Sequence, residues 1–154
     1  MAEAPTMRLN LGCSTARVTG YVNVDLVQPC DQVVDLNGVW PWLSNSVDEI
    51  RAWDIIEHLP DKLHTMNEAY RVLKRGGVFD IKVPTTDGRG AWQDPGHVSF
   101  WNRNAFFYYT AGDPHLTRFA PANGVRCAFS IVSEQEKTLI DKVSKLQIVL
   151  AAVK

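Results

Sequence analysis

Two short runs carry residue types that move protons near neutral pH: Glu57-His58, and Asp94-Pro95-Gly96-His97. An unperturbed imidazole titrates at about 6.5, so either histidine can take a proton from a hydroxyl or an amine. Phe100 and Trp101 follow His97 closely. Aromatic rings there can exclude water or stack on a bound molecule. Each run also has a purely structural use. The helix dipole favours a carboxylate such as Glu57 in a first helical turn, and an Asp94–His97 hydrogen bond would simply lock a loop. Asp94, His97 and His115 match no metal-ligand spacing, so no metal is expected.

A third group has the chemistry of binding. Leu9-Asn10-Leu11 reads as a short strand that ends in Gly12-Cys13-Ser14, and a second strand, Tyr21 to Asp25, closes on a carboxylate. A glycine turn lets the chain bend tightly beside a ligand, and a carboxylate at the end of the next strand can accept from both hydroxyls of a ribose. The combination points to a nucleoside-containing cofactor at the C-terminal edge of a parallel sheet. A turn-forming aspartate is the alternative for Asp25. Cys13 reads as a small side chain packed under the loop rather than a reactive thiol.

The positioning elements follow from periodicity. Arg8 to Leu11 is the first strand. The dozen or more residues of a full crossover are missing before Tyr21, which predicts only a turn or short helix there. Gln32 to Asp35 is a short third strand ended by Asn37-Gly38, and Val47 to Ala52 a fourth. Leu59, Leu63, Met66, Tyr70 and Leu73 recur at helical spacing, with Pro60 in the first turn and Gly76 as the stop. Val78 to Val83 is the fifth strand. Val39-Trp40-Pro41-Trp42-Leu43 is an apolar loop that packs on the sheet edge or replaces a helix. The segment from Thr85 to Asn123 is long for a connection and is expected to be functional, with a helix near Asn102 to Thr110. Val125 to Ser133 and Leu146 to Val153 close the chain as strands joined by Ser133 to Lys145.

Strand, helix and strand in this order require parallel pairing with right-handed crossovers. The runs Glu57-His58-Leu59-Pro60-Asp61 and Arg71-Val72-Leu73-Lys74-Arg75-Gly76-Gly77, placed after the Gly12 turn and Asp25, resemble the class I S-adenosylmethionine-dependent methyltransferases. The resemblance covers roughly Leu9 to Pro84, more loosely the rest. It implies a doubly wound, Rossmann-like α/β fold with a mostly parallel sheet, a C-terminal antiparallel hairpin and, here, a shortened first crossover. It also implies S-adenosylmethionine as cofactor, held by Gly12, Cys13 and Ser14, by Asp25 and Leu26 at the ribose and adenine, and by Asp35 and Leu36 at the adenine. Trp53 and Asp54 would pass beside the cofactor, with Trp53 either a wall of the transfer cavity or core. His97, His58 and Asp94 are the catalytic candidates.

Composition narrows the rest. The 154 residues suit one domain spanning 1–154. The net charge of −1 and the lack of an aromatic-interleaved basic track make nucleic acid an unlikely partner. No apolar run approaches the ~20 residues of a membrane span, so no membrane partner is expected. Three cysteines, an odd number, and a leaderless Met1-Ala2-Glu3-Ala4-Pro5 fit a cytoplasmic protein. The expected activity is methyl transfer to an oxygen or nitrogen of a small-molecule acceptor, with a second copy of the chain a candidate to cover the open side. One alternative is a non-catalytic module that binds S-adenosylmethionine or S-adenosylhomocysteine beside a vestigial acceptor site. A nicotinamide-dependent oxidoreductase ranks low, because Ser14 and Arg17 stand at the second and third glycine positions of its fingerprint.

Overall fold

The computed structural model describes residues 5–154. Met1 to Ala4, part of the segment read for a leader, lie outside the described residues. Seven strands form one sheet: β1 (Arg8–Leu11), β2 (Val22–Asp25), β3 (Gln32–Val33), β4 (Val47–Trp53), β5 (Leu73–Pro84), β6 (Phe129–Thr138) and β7 (Ser144–Ala152). Their order is β3-β2-β1-β4-β5-β7-β6. The first five strands pair in parallel, and β7 lies antiparallel between β5 and β6. The fold is therefore α/β with a mostly parallel, Rossmann-like sheet and a closing antiparallel hairpin. The winding reverses between β1 and β4, where strand ends open a crevice to ligands.

Helix α1 (Lys62–Val72) is capped by Asp61, whose side chain accepts from the His64 amide. Its Met66, Ala69 and Val72 are fully buried in the same core as Ile50, Phe79 and Ile81. Burying Met66 alone is worth about 1.5–3 kcal/mol. Pro60 stands one residue before the cap rather than in the first turn. The helix runs directly into β5, so Gly76 is not its stop; it sits within β5 at a φ of 72°. Trp40 and Trp42 meet edge to face, 5.9 Å apart, and are buried in the core.

The other face of the sheet is different. Arg51, Trp53 and Lys82 alternate with the core residues Ile50, Ala52 and Ile81 and so point away from α1. The Arg51 guanidinium lies 3.6 Å over the Trp53 ring, with the Lys82 ammonium 4.8 Å from the same ring. A polar face of this kind can remain half-exposed, whereas an apolar one would need covering helices. Over β1 and β2 the short connection covers the same face through amides. Asn10 donates to the Ala16 carbonyl and to Asn23 Oδ1 (both 2.9 Å), and the Val18 amide donates to Asn23 Oδ1 at 2.8 Å. Asn23 in turn donates through its backbone and side chain to Asp31, which also pairs with Arg17. These bonds, led by the Asn23 amide, hold Asp31 down to about 2. A buried asparagine pair thus replaces the missing crossover helix.

The helix expected near Asn102 to Thr110 is present as a 3-10 helix, Arg103–Tyr109. Two connections differ from expectation. A further helix, α3 (Pro114–Asn123), has no buried residue and contains Pro121, so it leaves no periodic apolar signal. The segment from Ser133 to Lys145 is mostly strand, because its polar residues belong to the exposed edge strand β6. No helix among the described residues is long and apolar enough to cross a membrane.

Candidate functional site

Gly12 leaves β1 at a φ of 63°, and Ser14 follows at 42°. The need for glycine at position 12 has a cause that the sequence hides. A Cβ there would lie 2.7 Å from Ile55, so the residue admits the chain leaving β4 rather than open ligand space. Cys13 is buried, and its amide donates to the Val24 carbonyl at 3.0 Å. Burial, reinforced by the Asp25 carboxylate, raises its thiol above the ordinary value. Its side chain is a packing group, and only its backbone faces the turn.

Asp25 ends β2 with its carboxylate fixed by the turn. Oδ2 accepts from the Ser14 amide at 2.8 Å, and Oδ1 accepts from the amides of Leu26 at 2.7 Å and Val27 at 3.4 Å. An ionised carboxylate has about four acceptor sites, so these three bonds leave one free, on Oδ2. The Leu26 side chain stands exposed beside it. The Asp35 carboxylate is engaged locally by the backbone and side chain of Asn37, and Leu36 is buried in the core with its carbonyl accepting from Trp40 Nε1. Leu36 is therefore a packed anchor, whereas Asp35 is exposed and keeps Oδ2 outside these bonds. Trp53 stacks on Arg51 across the open face and does not line the cavity described next.

Beyond Gly12, the chain after β4 passes through Asp54, at a φ of 54°, and Ile55 into a 3-10 turn, Ile56–His58. This turn and the Asp94–His97 loop enclose a cavity of about 240 Å³ lined by Asp54, Glu57, His58, Asp94, His97 and Lys145, among others. The two segments are laced together. The Val98 and Ser99 amides donate to the Glu57 carbonyl at 2.8 and 3.0 Å, and His58 Nδ1 donates to the Gly96 carbonyl at 2.8 Å. Asp94 Oδ1 accepts from the Gly96 amide at 2.7 Å. A Cβ on residue 96 would crowd both Asp94 and His58 at 3.1 Å, so the loop closes only with glycine there.

His97 is 9% exposed at its side chain. Its Nδ1 lies 3.2 Å from the Ala91 carbonyl, at the start of the short helix α2 (Gly90–Gln93). Its Nε2 faces Asp94 Oδ2 at 3.6 Å and Glu57 Oε1 at 3.9 Å. Asp54 pairs with Lys145 at 2.8 Å across the mouth. Glu57 is the residue that sequence reasoning undervalued. It is 2% exposed, and neither carboxylate oxygen has a hydrogen-bond partner. Burial pushes its carboxyl up to about 7, with Asp54 adding to the rise. The signal was its place beside Ile56 and Leu59, in a turn whose backbone the core must hold. His115, the third member of the metal set considered above, bonds to Asp113 and packs against Tyr108 instead.

A family model described as a methyltransferase domain matches residues 23–81. No curated protein matches the sequence. Among solved structures, the cyclase SpnF superposes with a TM-score of 0.67 at 12% identity, covering 98% of this chain and 76% of that one. An S-adenosylmethionine-dependent methyltransferase from Methanosarcina mazei gives 0.64 at 14%, covering 97% and 94%. The 1,6-didemethyltoxoflavin-N1-methyltransferase of Burkholderia thailandensis, with its substrate and S-adenosylhomocysteine bound, gives 0.63 at 16%, covering 97% and 72%. At these identities the likeness is one of fold.

Proposed function

We propose that the chain, which has the fold of the class I S-adenosylmethionine-dependent methyltransferases and matches a methyltransferase-domain model over residues 23–81, transfers a methyl group from S-adenosylmethionine to an oxygen or nitrogen of a small-molecule acceptor. The observation that carries the cofactor assignment is Asp25: a strand-ending carboxylate pinned by the amides of Ser14, Leu26 and Val27, with an acceptor site left on Oδ2. A ribose hydroxyl is a donor of the right kind for it. Gly12, Cys13 and Ser14 would offer backbone groups to the methionine end, and Leu26 an apolar edge to the base. Asp54 would lie at the junction with the cavity. Asp35 and Leu36 would shape the adenine side through the turn they form.

When bound, S-adenosylmethionine supplies an electrophilic methyl on a sulfonium. The protein's task is then to hold a nucleophile in line and to receive its proton. Ile55, which touches Gly12, leads directly into the turn that lines the cavity, and this supports an acceptor subsite next to the cofactor turn. His97 presents Nε2 to that cavity as the proton acceptor, with Nδ1 set by Ala91. His58 walls the same space, and Asp94 orders the loop through Gly96. At about 240 Å³ the space suits a small acceptor. The three free cysteines accord with action in the cytoplasm.

The test is turnover with methyl-labelled S-adenosylmethionine against hydroxylated and amine metabolites, beside a calorimetric titration with S-adenosylhomocysteine. Label transfer to one acceptor class, with saturable binding, is expected. Binding without transfer to any class would favour the non-catalytic module, and absence of binding would remove the cofactor assignment.

A further inference from the structure

We propose that Glu57, His58 and His97 form a binding site for one divalent transition-metal ion of the zinc type. The sequence gives no ligand spacing for it, since the carboxylate and one imidazole come from the turn after β4 and the other imidazole from the loop after α2. The fold closes that gap: one ligand atom from each of the three lies within 4.8 Å of the others.

The donor chemistry points the same way. Carbonyl oxygens only accept, so Nδ1 of His58 carries the proton that binds Gly96, and Nδ1 of His97 the one directed at Ala91. In the neutral rings, Nε2 of each is then a lone-pair nitrogen. Metal-bound histidines are set in this manner, with the second ring nitrogen donating to a carbonyl. Facing His97 Nε2, at 3.9 Å, is a carboxylate buried to 2% exposure with both oxygens unpartnered. A carboxylate taken out of water without a donor is costly unless a cation sits beside it. The side chains that line this cavity include a single ammonium, on Lys145, and it is held by Asp54 instead. Two imidazole nitrogens and one carboxylate form a borderline-soft set of the kind that zinc takes in catalytic sites, with the fourth position open. Asp94, with Oδ2 3.6 Å from His97 Nε2, is the outer carboxylate beside that set.

Occupancy would change the part played by His97. A ligating Nε2 has no lone pair for a proton, so acceptor activation would pass to the cation, which acidifies a hydroxyl bound at the open position. The binding claim itself does not depend on methyl transfer.

The experiment is a calorimetric titration of zinc chloride into chelator-stripped protein, with His58→Ala, His97→Ala and His115→Ala alongside and circular dichroism to verify each fold. Cobalt chloride provides a second readout through its visible absorption. One equivalent bound by the wild type and by His115→Ala, with affinity lower by at least about tenfold in each of the other two variants, is expected. If either ligand variant fails to fold, Glu57→Gln takes its place with the same expected loss. A folded wild type that takes up no zinc, or zinc binding undiminished in the ligand variants, would overturn the proposal. Binding of S-adenosylhomocysteine is measured on the same samples. Its absence with zinc retained would count against the methyl-transfer reading alone.

Discussion

Around Asp25 the polar groups have protein partners, whereas around Glu57 a whole carboxylate has none. The first region is an exposed turn in which backbone amides hold a charge in place beside solvent. The second is a polar pocket in which two imidazoles converge on a buried carboxylate whose oxygens have no donor. Exposed, pre-bonded groups suit repeated binding and release of a cofactor, because little reorganises when it arrives. Buried, unpartnered groups are destabilising for the fold and suit chemistry, because a proton or cation placed there is held strongly. The proposed function assigns the two tasks to the two sides of the Gly12–Ile55 contact.

The largest effect that would sharpen this contrast is kinetic. His97→Ala is expected to lower turnover by ~10²–10⁴-fold while leaving affinity for S-adenosylhomocysteine nearly unchanged. Steady-state rates and calorimetry on one preparation check both halves. A matching loss of cofactor affinity would show that the two regions are not separate.

The buried carboxylate makes a prediction about pH. Glu57 has an ordinary value of 4.5 and is raised to about 7 in the fold. A raised folded value means that its stabilising share is fully present below 4.5 and is lost as pH climbs through 7. In metal-free protein, Glu57→Gln should therefore gain stability relative to wild type between pH 4.5 and 7, by roughly 3 kcal/mol at most, and then level off. Denaturant melts at pH 4.5, 6 and 8 would reveal it. A difference independent of pH would mean that the carboxylate is solvated or paired.

How much of this was legible beforehand depended on whether the signal was local. The parallel strands and α1 showed through apolar runs and through Leu63, Met66 and Tyr70 at helical spacing. The turn between β1 and β2 showed because Gly12 and Asp25 are close in sequence and end adjacent strands. Helix α3 did not show, since none of its side chains is buried, and β6 hid behind the polar run Ser133 to Thr138. The second site was legible only as parts. His58 and His97 were candidates separately, but their meeting, with ring centroids 4.9 Å apart, depends on a loop that is closed by Gly96 and tied to the Glu57 carbonyl. The role of Gly12 was visible as a glycine and invisible as an Ile55 contact.

That contact supports a prediction at the boundary between the regions. Gly12→Ala puts a Cβ 2.7 Å from Ile55 at a φ of 63°, and should destabilise the protein by about 1–3 kcal/mol and weaken binding of S-adenosylhomocysteine. Thermal melts and calorimetry check it. An unperturbed variant would show that the turn is slack.

The smallest effect belongs to Ser14. At a φ of 42° its side chain strains the turn, so Ser14→Gly should leave S-adenosylhomocysteine affinity unchanged or tighten it by less than about tenfold. A folded variant that bound markedly more weakly would make the Ser14 hydroxyl a ligand group.

The central claim is that Asp25, held by Ser14 and Leu26, receives the ribose of S-adenosylmethionine. Its most direct test is calorimetric titration of S-adenosylhomocysteine into wild-type and Asp25→Ala protein, with circular dichroism to verify the fold. The account predicts one saturable site in the wild type, weakened by roughly ten- to a hundredfold in the variant, as loss of a hydrogen bond to a charged acceptor requires. No binding to the wild type, or equal affinity in a folded variant, would contradict it.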